Sequence, residues 1–205
     1  MHIAIAGNIG SGKSTLAQML GKQFGWQVTL EDVEENPYLM DFYKDMKKWS
    51  FHLQVYFLNS RFKQIKQILS CKYSTIQDRT IYEDAHIFAA NLFQSGLMEE
   101  RDYKNYLRLY HSMMDYIQAP DLLIYLQADI PKLVSQITKR GRNYEANISI
   151  HYLKNLNKQY EDWISGYKHG KVLSLNVNQM DFVSSREDFS TIVNKVDREI
   201  NGLFT

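Results

Sequence analysis

The chain alternates between short apolar runs and longer segments in which apolar residues recur every three or four positions. Runs of the first kind are typical of buried strands, and segments of the second kind are typical of amphipathic helices. The apolar runs predict five strands, at residues 3–6, 26–30, 73–77, 121–126 and 172–177. The run from Leu122 to Leu126 contains no charged residue, which indicates a strand that is covered on both faces.

Helical periodicity fills the segments between these strands. The first predicted helix follows the first strand and ends at Gly25, and the second runs from Trp49 to about Leu69. Further helices are predicted around 87–93 and at 101–117, 130–138, 153–163 and 189–200. Ser184 and Glu187 have the spacing of a capping box for the last helix. Because strands and helices alternate, we predict an α/β fold, a five-stranded parallel sheet with helices on both faces. No repeat or linker interrupts the pattern, so residues 1–205 are expected to form one domain.

A glycine-rich segment joins the first predicted strand to the first predicted helix. It matches the phosphate-loop pattern G-x-x-x-x-G-K-[ST] at every fixed position. In this context, backbone N–H groups and the helix N-terminus face one anion. Lys13 can reach the β- and γ-phosphates, and the Ser14 hydroxyl can complete the coordination of Mg²⁺. We therefore predict that a nucleoside triphosphate binds to Gly7, Asn8, Ile9, Gly10, Ser11, Gly12, Lys13, Ser14 and Thr15.

Charged residues follow the second and third predicted strands, where ligands bind in open parallel sheets. Glu31 follows the second strand and can take the proton of an attacking hydroxyl. Glu34 and Glu35 extend it into an acidic run, so a solvated loop glutamate is an equal alternative. Asp78 can hold Mg²⁺ through water, and Arg79 can bridge Glu31 and the developing phosphoryl charge. Placement at a strand end favours these functions over a plain surface ion pair.

Two polar residues interrupt the apolar side of the long helix predicted from Trp49 to about Leu69. Gln54 and Arg61 are seven residues apart, so both point the same way as Leu58, on a face that should otherwise pack against protein. Further along the chain, Arg140-Gly141-Arg142 lies within a basic run that begins at Lys139. This run is either a solvated charge cluster or a mobile lid, near 139–147, that closes on a triphosphate.

The composition of the chain limits its expected binding partners and its expected cellular compartment. The 24 basic and 23 acidic side chains nearly cancel, so no overall field would recruit polymeric nucleic acid or an anionic membrane. No apolar stretch approaches the roughly 20 residues that span a bilayer. The single cysteine, Cys71, cannot form an internal disulfide, and no early segment has the features of a secretion signal. A reducing cytoplasm is therefore the expected compartment.

Five segments in a fixed order resemble the deoxynucleoside kinases and, within that family, the bacterial deoxyadenosine kinases. They are the phosphate loop, the acidic segment 31–38, the helix from Trp49 to Arg61, the segment 78–84 (Asp-Arg-Thr-Ile-Tyr-Glu-Asp) and the segment 140–145 (Arg-Gly-Arg-Asn-Tyr-Glu). Together they cover nearly the whole chain. The resemblance implies the P-loop kinase fold and an enzyme that usually forms homodimers through helices.

The resemblance also assigns catalytic roles. It implies that Glu31 is the base on the 5′-hydroxyl and that Arg79 holds both this hydroxyl and the γ-phosphate. Asp78 matches an acidic residue near the metal, with Ser14 as the other metal ligand, and it is an alternative candidate for the base. Lys13 completes the predicted catalytic set.

The remaining matched positions concern the substrates. The resemblance implies that Tyr43 and Glu145 bind the sugar 3′-hydroxyl, and that Gln54, Arg61 and Asp84 recognise the base. Arg140 and Arg142 of the predicted lid are expected to contact ATP.

The resulting prediction is transfer of the γ-phosphoryl group of ATP, with Mg²⁺, to the 5′-hydroxyl of a deoxynucleoside, in nucleotide salvage. Deoxyadenosine is the favoured acceptor. The alternatives are a nucleoside monophosphate kinase and a non-enzymatic ATP-dependent switch. The first would need additional arginines around the acceptor phosphate, whereas the predicted acceptor pocket contains mostly neutral or acidic side chains. The second would not consume ATP in response to a nucleoside.

Overall fold

The computed structural model describes residues 1–31, 33, 35–142, 144–145 and 148–202. Two residues of the acidic segment, Asp32 and Glu34, lie outside the described residues. So do Asn143, Ala146 and Asn147 of the predicted lid, and the last three residues of the chain.

Five strands form one parallel sheet, which confirms the predicted architecture. The strands are β1 (His2–Gly7), β2 (Gln27–Thr29), β3 (Thr75–Asp78), β4 (Leu122–Gln127) and β5 (Lys171–Asn176). Their order across the sheet is β2-β3-β1-β4-β5, and all four neighbouring pairs are parallel. Because the strands are parallel, the carboxyl ends of β1, β2 and β3 lie side by side at one edge.

The helices occupy the connections between strands and the end of the chain. They are α1 (Lys13–Phe24), α2 (Leu39–Lys44), α3 (Met46–Ser70), α4 (Ile81–Glu83), a π-helical turn (Asp84–Ala89), α5 (Ala90–Gln94), α6 (Glu100–Met114), α7 (Ile130–Arg140), α8 (Ile150–Ser165) and α9 (Arg186–Asn201). Gly25 ends α1 in the left-handed conformation (φ 70°), as predicted. None of the helices in the described part of the chain combines the length and apolar character that crossing a bilayer requires.

The two faces of the sheet are covered by different helices. Successive side chains of a strand point to opposite faces, and β1 shows this clearly. Ile3 and Ile5 pack with residues of α1, α7 and α9, whereas Ala4 and Ala6 pack with residues of α2, α3, α5 and α8. Strand β4 is buried along almost its whole length, as its unbroken apolar run predicts.

Several boundaries differ from the predictions for local reasons. Helix α2 was not predicted, because its six residues are too few to show a helical period. The capping box predicted at Ser184 is wrong, because Ser185 caps α9 by accepting a hydrogen bond from the Asp188 amide. Ser184 lies in the preceding turn, where its amide donates to Asp181.

Candidate active site

The carboxyl edge of the sheet opens into a cavity of about 520 Å³, within the size range of sites for small-molecule ligands. Most of the predicted site residues line it. They are Ile9, Gly10, Lys13, Ser14, Glu31, Tyr43, Gln54, Asp78, Arg79, Asp84, Arg140, Arg142 and Glu145. Residues far apart in the sequence therefore meet at one place.

The phosphate loop is held in shape by packing on α7 and α8. Gly10 has φ 86°, and a β-carbon at this position would lie 2.8 Å from the carbonyl oxygen of Leu133. The side chain of Asn8 donates to the carbonyl of Leu153 at 3.0 Å and so points toward α8. Only the backbone of Asn8 is therefore placed to serve an anion. Thr15, at the other end of the motif, is exposed on α1.

Lys13 lies buried at the start of α1 with its charge directed back across the loop. Its Nζ donates to the carbonyl oxygen of Asn8 at 3.0 Å. Burial, reinforced by the charge of Arg79, lowers the pKa of Lys13 to about 8. A triphosphate beside this amine would stabilise the ammonium form and so raise its pKa.

We expect ATP affinity to be nearly constant below about pH 8 and to weaken at higher pH, because binding must then take up a proton on Lys13. Calorimetric titrations between about pH 7 and 9, in two buffers with different ionisation enthalpies, would count that proton. The Lys13→Ala variant is the control and should bind weakly with no such pH dependence. Equal wild-type affinity across this range, without proton uptake, would contradict the assignment.

Two oxygen ligands lie beside the loop where a nucleotide-bound metal is expected. The Ser14 hydroxyl donates to Oδ2 of Asp78 at 2.5 Å. The other oxygen of Asp78, Oδ1, is buried and has no hydrogen-bond partner among the described residues. Nor do the described residues contain a cluster of three His, Cys, Asp or Glu side chains that could hold a metal. Mg²⁺ is commonly bound by one or two protein oxygens, and phosphates and water complete its coordination. The hydroxyl of Ser14 and the carboxylate of Asp78 fit that ion.

Glu31 is held between two arginines. Its Oε1 accepts a hydrogen bond from Nη2 of Arg61 at 3.0 Å and lies 3.4 Å from Nε of Arg79. Burial opposes ionisation of this carboxyl, but Arg79 and Arg61 outweigh it, and the pKa of Glu31 lies below its ordinary value. Glu31 is therefore ionised at neutral pH and can accept a proton. The solvated-loop alternative does not describe this paired carboxylate.

Arg79 has an uncommon backbone conformation. Its φ of 71° makes it the only residue other than glycine in the described part of the chain with a positive φ. Such conformations cost of order 1–3 kcal/mol and cluster at functional sites. The guanidinium lies over the ring of Phe88 at 4.1 Å, and Nε makes no hydrogen bond within the described residues. Arg79 thus lines the cavity with its guanidinium held between Phe88 and the carboxylate of Glu31.

Two buried polar residues that line the cavity, Gln54 and Asp84, differ in their hydrogen bonding. Gln54 is 3% exposed, and its Oε1 has no partner among the described residues. Asp84 lies 3.4 Å from Nε of Arg61, and burial raises the pKa of Asp84 to about 6 despite that arginine. At neutral pH, Asp84 is therefore mainly ionised.

Arg61 lies behind the cavity wall and is not among the lining residues. Its guanidinium contacts Glu31, Asp84, the carbonyl of Asp78 at 2.9 Å and Gln64 at 3.3 Å. With its donors directed at these groups, Arg61 orients the two carboxylates and is not placed to contact a base directly.

The predicted lid begins inside a helix. Lys139 and Arg140 belong to the last turn of α7, which Gly141 ends with φ 67°. Arg140 donates to both carboxylate oxygens of Glu145, at 3.0 and 2.6 Å, and Arg142 lies 3.5 Å from the same carboxylate. Glu145 and the two arginines therefore engage one another across the mouth of the cavity.

Comparison with known proteins decides the family. The pattern that defines the family described as "Deoxynucleoside kinase" matches residues 3–201. The chain belongs to the deoxynucleoside kinases. It is therefore an ATP-dependent phosphotransferase that phosphorylates deoxynucleosides, and the monophosphate kinase and non-enzymatic alternatives are not supported.

Individual relatives agree with this assignment. The kinase is 41% identical over 196 residues to the deoxyadenosine/deoxycytidine kinase of Bacillus subtilis, covering 95% of this chain and 90% of that one. It is 41% identical to the deoxyadenosine kinase of Dictyostelium discoideum, covering 91% and 75%. A solved deoxyadenosine kinase from M. mycoides, with the products dCMP and dCDP bound, superposes with a TM-score of 0.86 at 34% identity, covering 96% of this chain and 99% of that one. The same α/β P-loop kinase fold is thus shared.

Sequence reasoning about this deoxynucleoside kinase assigned no role to Glu83. This carboxylate is fully buried and accepts hydrogen bonds from the amide of Gly7, from the amide and hydroxyl of Thr80, and from the hydroxyl of Tyr160. The spacing of Thr80 and Glu83 is that of a capping box, a signal present in the sequence. The contacts with the phosphate loop and α8 are tertiary and carry no local signal.

The apolar walls of the kinase cavity were also missed. They come mainly from α2, α3 and the π-helical turn, and the largest are Leu39, Phe42, Leu53, Phe57 and Phe88. In the sequence these residues are indistinguishable from core positions, because the same periodicity marks both.

Proposed function

We propose that this kinase phosphorylates deoxyadenosine in preference to the other deoxynucleosides, with Glu31 as the base. The observation that carries the preference is the buried, unpartnered oxygen of Gln54 in the cavity that the carboxylate of Asp84 also lines. Two acceptors that line one cavity favour a base that presents hydrogen-bond donors. The exocyclic amine of adenine is such a donor, and the amide nitrogen of Gln54 can donate to the adjacent ring nitrogen.

The reaction follows from the charges around the cavity. Glu31 takes the proton of the 5′-hydroxyl as that oxygen attacks the γ-phosphorus of ATP, and the bond to the bridging oxygen of ADP breaks. The products are deoxyadenosine monophosphate and ADP. Arg79 and Lys13, whose positive charges lie at the cavity, stabilise the negative charge on the transferring group. Mg²⁺, held by Ser14 and Asp78 with the phosphates, would neutralise part of the charge on the β- and γ-oxygens.

Tyr43 and Glu145 are proposed to hold the sugar 3′-hydroxyl at the cavity mouth. Tyr43 stacks on Tyr144 at 5.7 Å between ring centroids, which joins α2 to the segment that carries Glu145. Arg140 and Arg142 now contact Glu145, so we propose that ATP draws these guanidinium groups toward its phosphates and releases Glu145 for the sugar. The segment near 139–147 then acts as the lid of a single kinase domain spanning 1–205.

The order of kcat/KM is expected to be deoxyadenosine first, then deoxycytidine or deoxyguanosine, and thymidine last. Thymine O4 would face Asp84 or Gln54 Oε1 acceptor to acceptor, and an unpaired buried polar group costs roughly 1–3 kcal/mol. Steady-state kinetics with each nucleoside at equal ATP measure this order. The Asp84→Asn variant should narrow the gap between deoxyadenosine and thymidine, because an amide can donate. A thymidine value equal to or above that of deoxyadenosine would refute the base recognition.

We also propose that the enzyme works as a cytoplasmic homodimer. The support is the family resemblance, together with the exposed side chains of Leu109 on α6 and of Leu69 on α3. Light scattering coupled to size-exclusion chromatography would give twice the 24.1 kDa chain mass for a dimer. A monomer at micromolar concentration would refute this part of the proposal.

A further inference from the structure

The helix that carries Asp84 is interrupted at the residues that reach the cavity. Between α4 and α5, the segment Asp84–Ala89 forms a π-helical turn. Such turns are rare, occur mostly as single-turn insertions within α-helices, and are frequent at functional sites. The π-helical turn sets how Asp84, at its first position, is rotated relative to α5.

The hydrogen-bond spacing of the backbone changes where the π-helical turn ends. Its last bond joins the amide of Ala90 to the carbonyl of Ala85, five residues earlier. Four-residue bonding resumes in α5. The carbonyls of His86 and Ile87 lie at this change of spacing, where a donor from outside the helix can be accepted.

Gln159 of α8 supplies that donor. With its amide nitrogen facing the helix, it donates to the carbonyl oxygens of His86 at 3.1 Å and of Ile87 at 2.9 Å. The opposite orientation would set its oxygen against these two acceptors. The oxygen of Gln159 then lies 3.0 Å from Oε1 of Gln94, so the Gln94 amide must turn its nitrogen toward Gln159 for the two side chains to hydrogen-bond.

The next residue of α8 fixes the other side of Asp84. The hydroxyl of Tyr160 donates to Glu83 at 2.8 Å, immediately before the π-helical turn. Two adjacent residues of α8 thus contact the chain on both sides of Asp84, Tyr160 through the side chain of Glu83 and Gln159 through the backbone of His86 and Ile87. Neither contacts the cavity, since Gln159 and Tyr160 are not among its lining residues.

We propose that Gln159 is a positioning residue for base recognition, because its amide caps the π-helical turn and so keeps Asp84 directed into the cavity. The proposal rests on the proposed function, in which Asp84 accepts from the adenine amine. It predicts that loss of the donor at position 159 harms amine recognition more than it harms phosphoryl transfer itself.

The test compares deoxyadenosine with purine 2′-deoxyriboside, which lacks the exocyclic amine. In wild-type enzyme, deoxyadenosine should have the higher kcat/KM. In Gln159→Met, which keeps the length but removes the donor, we expect this ratio to fall roughly tenfold, in line with the net contribution of a hydrogen bond. The kcat/KM for the analogue should change by less than about twofold, because this substrate does not use Asp84 in the same way.

Two further variants sharpen the comparison. Gln94→Met removes the outer partner of Gln159 but leaves both backbone carbonyls bonded, so its ratio should match wild type. Gln159→Lys restores a donor and should recover most of the ratio. If Gln159→Met does not fold, Gln159→Lys against Gln159→Glu provides the same contrast, because glutamate cannot donate when ionised.

Parallel losses with both substrates in Gln159→Met would show a merely structural role and overturn the inference. An unchanged ratio in that variant would overturn it as well. In both cases wild-type enzyme would still prefer deoxyadenosine, and the proposed function would stand. If wild-type enzyme did not distinguish the two substrates, recognition by Asp84 would be refuted and the inference with it.

Discussion

The Lys13→Ala variant is expected to lose roughly 10²- to 10³-fold in kcat while keeping its fold, as happens when one charge-stabilising donor is removed from a transition state. Lys13 is buried beside the phosphate loop, and its lowered pKa shows an ammonium group held at some cost in the absence of substrate. A negatively charged transferring group removes that cost. The interaction is therefore strongest in the transition state, where it lowers the barrier.

The free energy of unfolding should fall little in this variant. Alanine loses one hydrogen bond to the carbonyl of Asn8, but it also removes a buried charge, and the two effects oppose each other. Lys22→Ala, an exposed lysine on the same helix, is the matched control and should be indistinguishable from wild type. Circular dichroism and single-turnover kinetics are the measurements. Native circular dichroism with near-wild-type turnover would exclude Lys13 from phosphoryl transfer.

Local patterns were sufficient to predict much of this architecture. The phosphate loop could be recognised because strand, glycine turn and helix are consecutive in the chain, so every determinant is short-range. The position of Glu31 and Asp78 at strand ends followed from the parallel sheet. The shared orientation of Gln54 and Arg61 followed from helical geometry, because seven residues make two turns.

Features set by tertiary contacts could not be predicted in this way. The π-helical turn is contacted by Gln159, which lies about 70 residues further along the chain. Arg61 was expected to face the base, but long-range ion pairs with Glu31 and Asp84 hold it behind the wall. The pairing of Arg140 with Glu145 has no periodic signal either, because it depends on how the chain turns after α7.

Substitution of the residue that accepts the proton is expected to have the second large effect. The two candidate carboxylates, Glu31 and Asp78, have different partners. Asp78 accepts from Ser14 and keeps one unpaired oxygen, which suits a metal ligand. Glu31 faces Arg79, the residue that would hold the attacking hydroxyl, and stays ionised because the arginine charges outweigh burial. An ionised carboxylate beside that hydroxyl is in the form a base requires.

Glu31→Gln keeps size and hydrogen bonding but cannot take up the proton, so kcat should fall by roughly 10²- to 10⁴-fold with a smaller change in KM. Glu187→Gln, which removes an exposed carboxylate of α9 that does not line the cavity, should stay within about twofold of wild type. Because the folded pKa of Glu31 is depressed, wild-type kcat should persist at mildly acidic pH and decline only below the ordinary glutamate range.

Asp78→Asn should instead raise the Mg²⁺ concentration needed for half-maximal rate. If Asp78→Asn lost far more kcat than Glu31→Gln at saturating Mg²⁺, the proton acceptor would be Asp78, and Glu31 would serve only to orient Arg79.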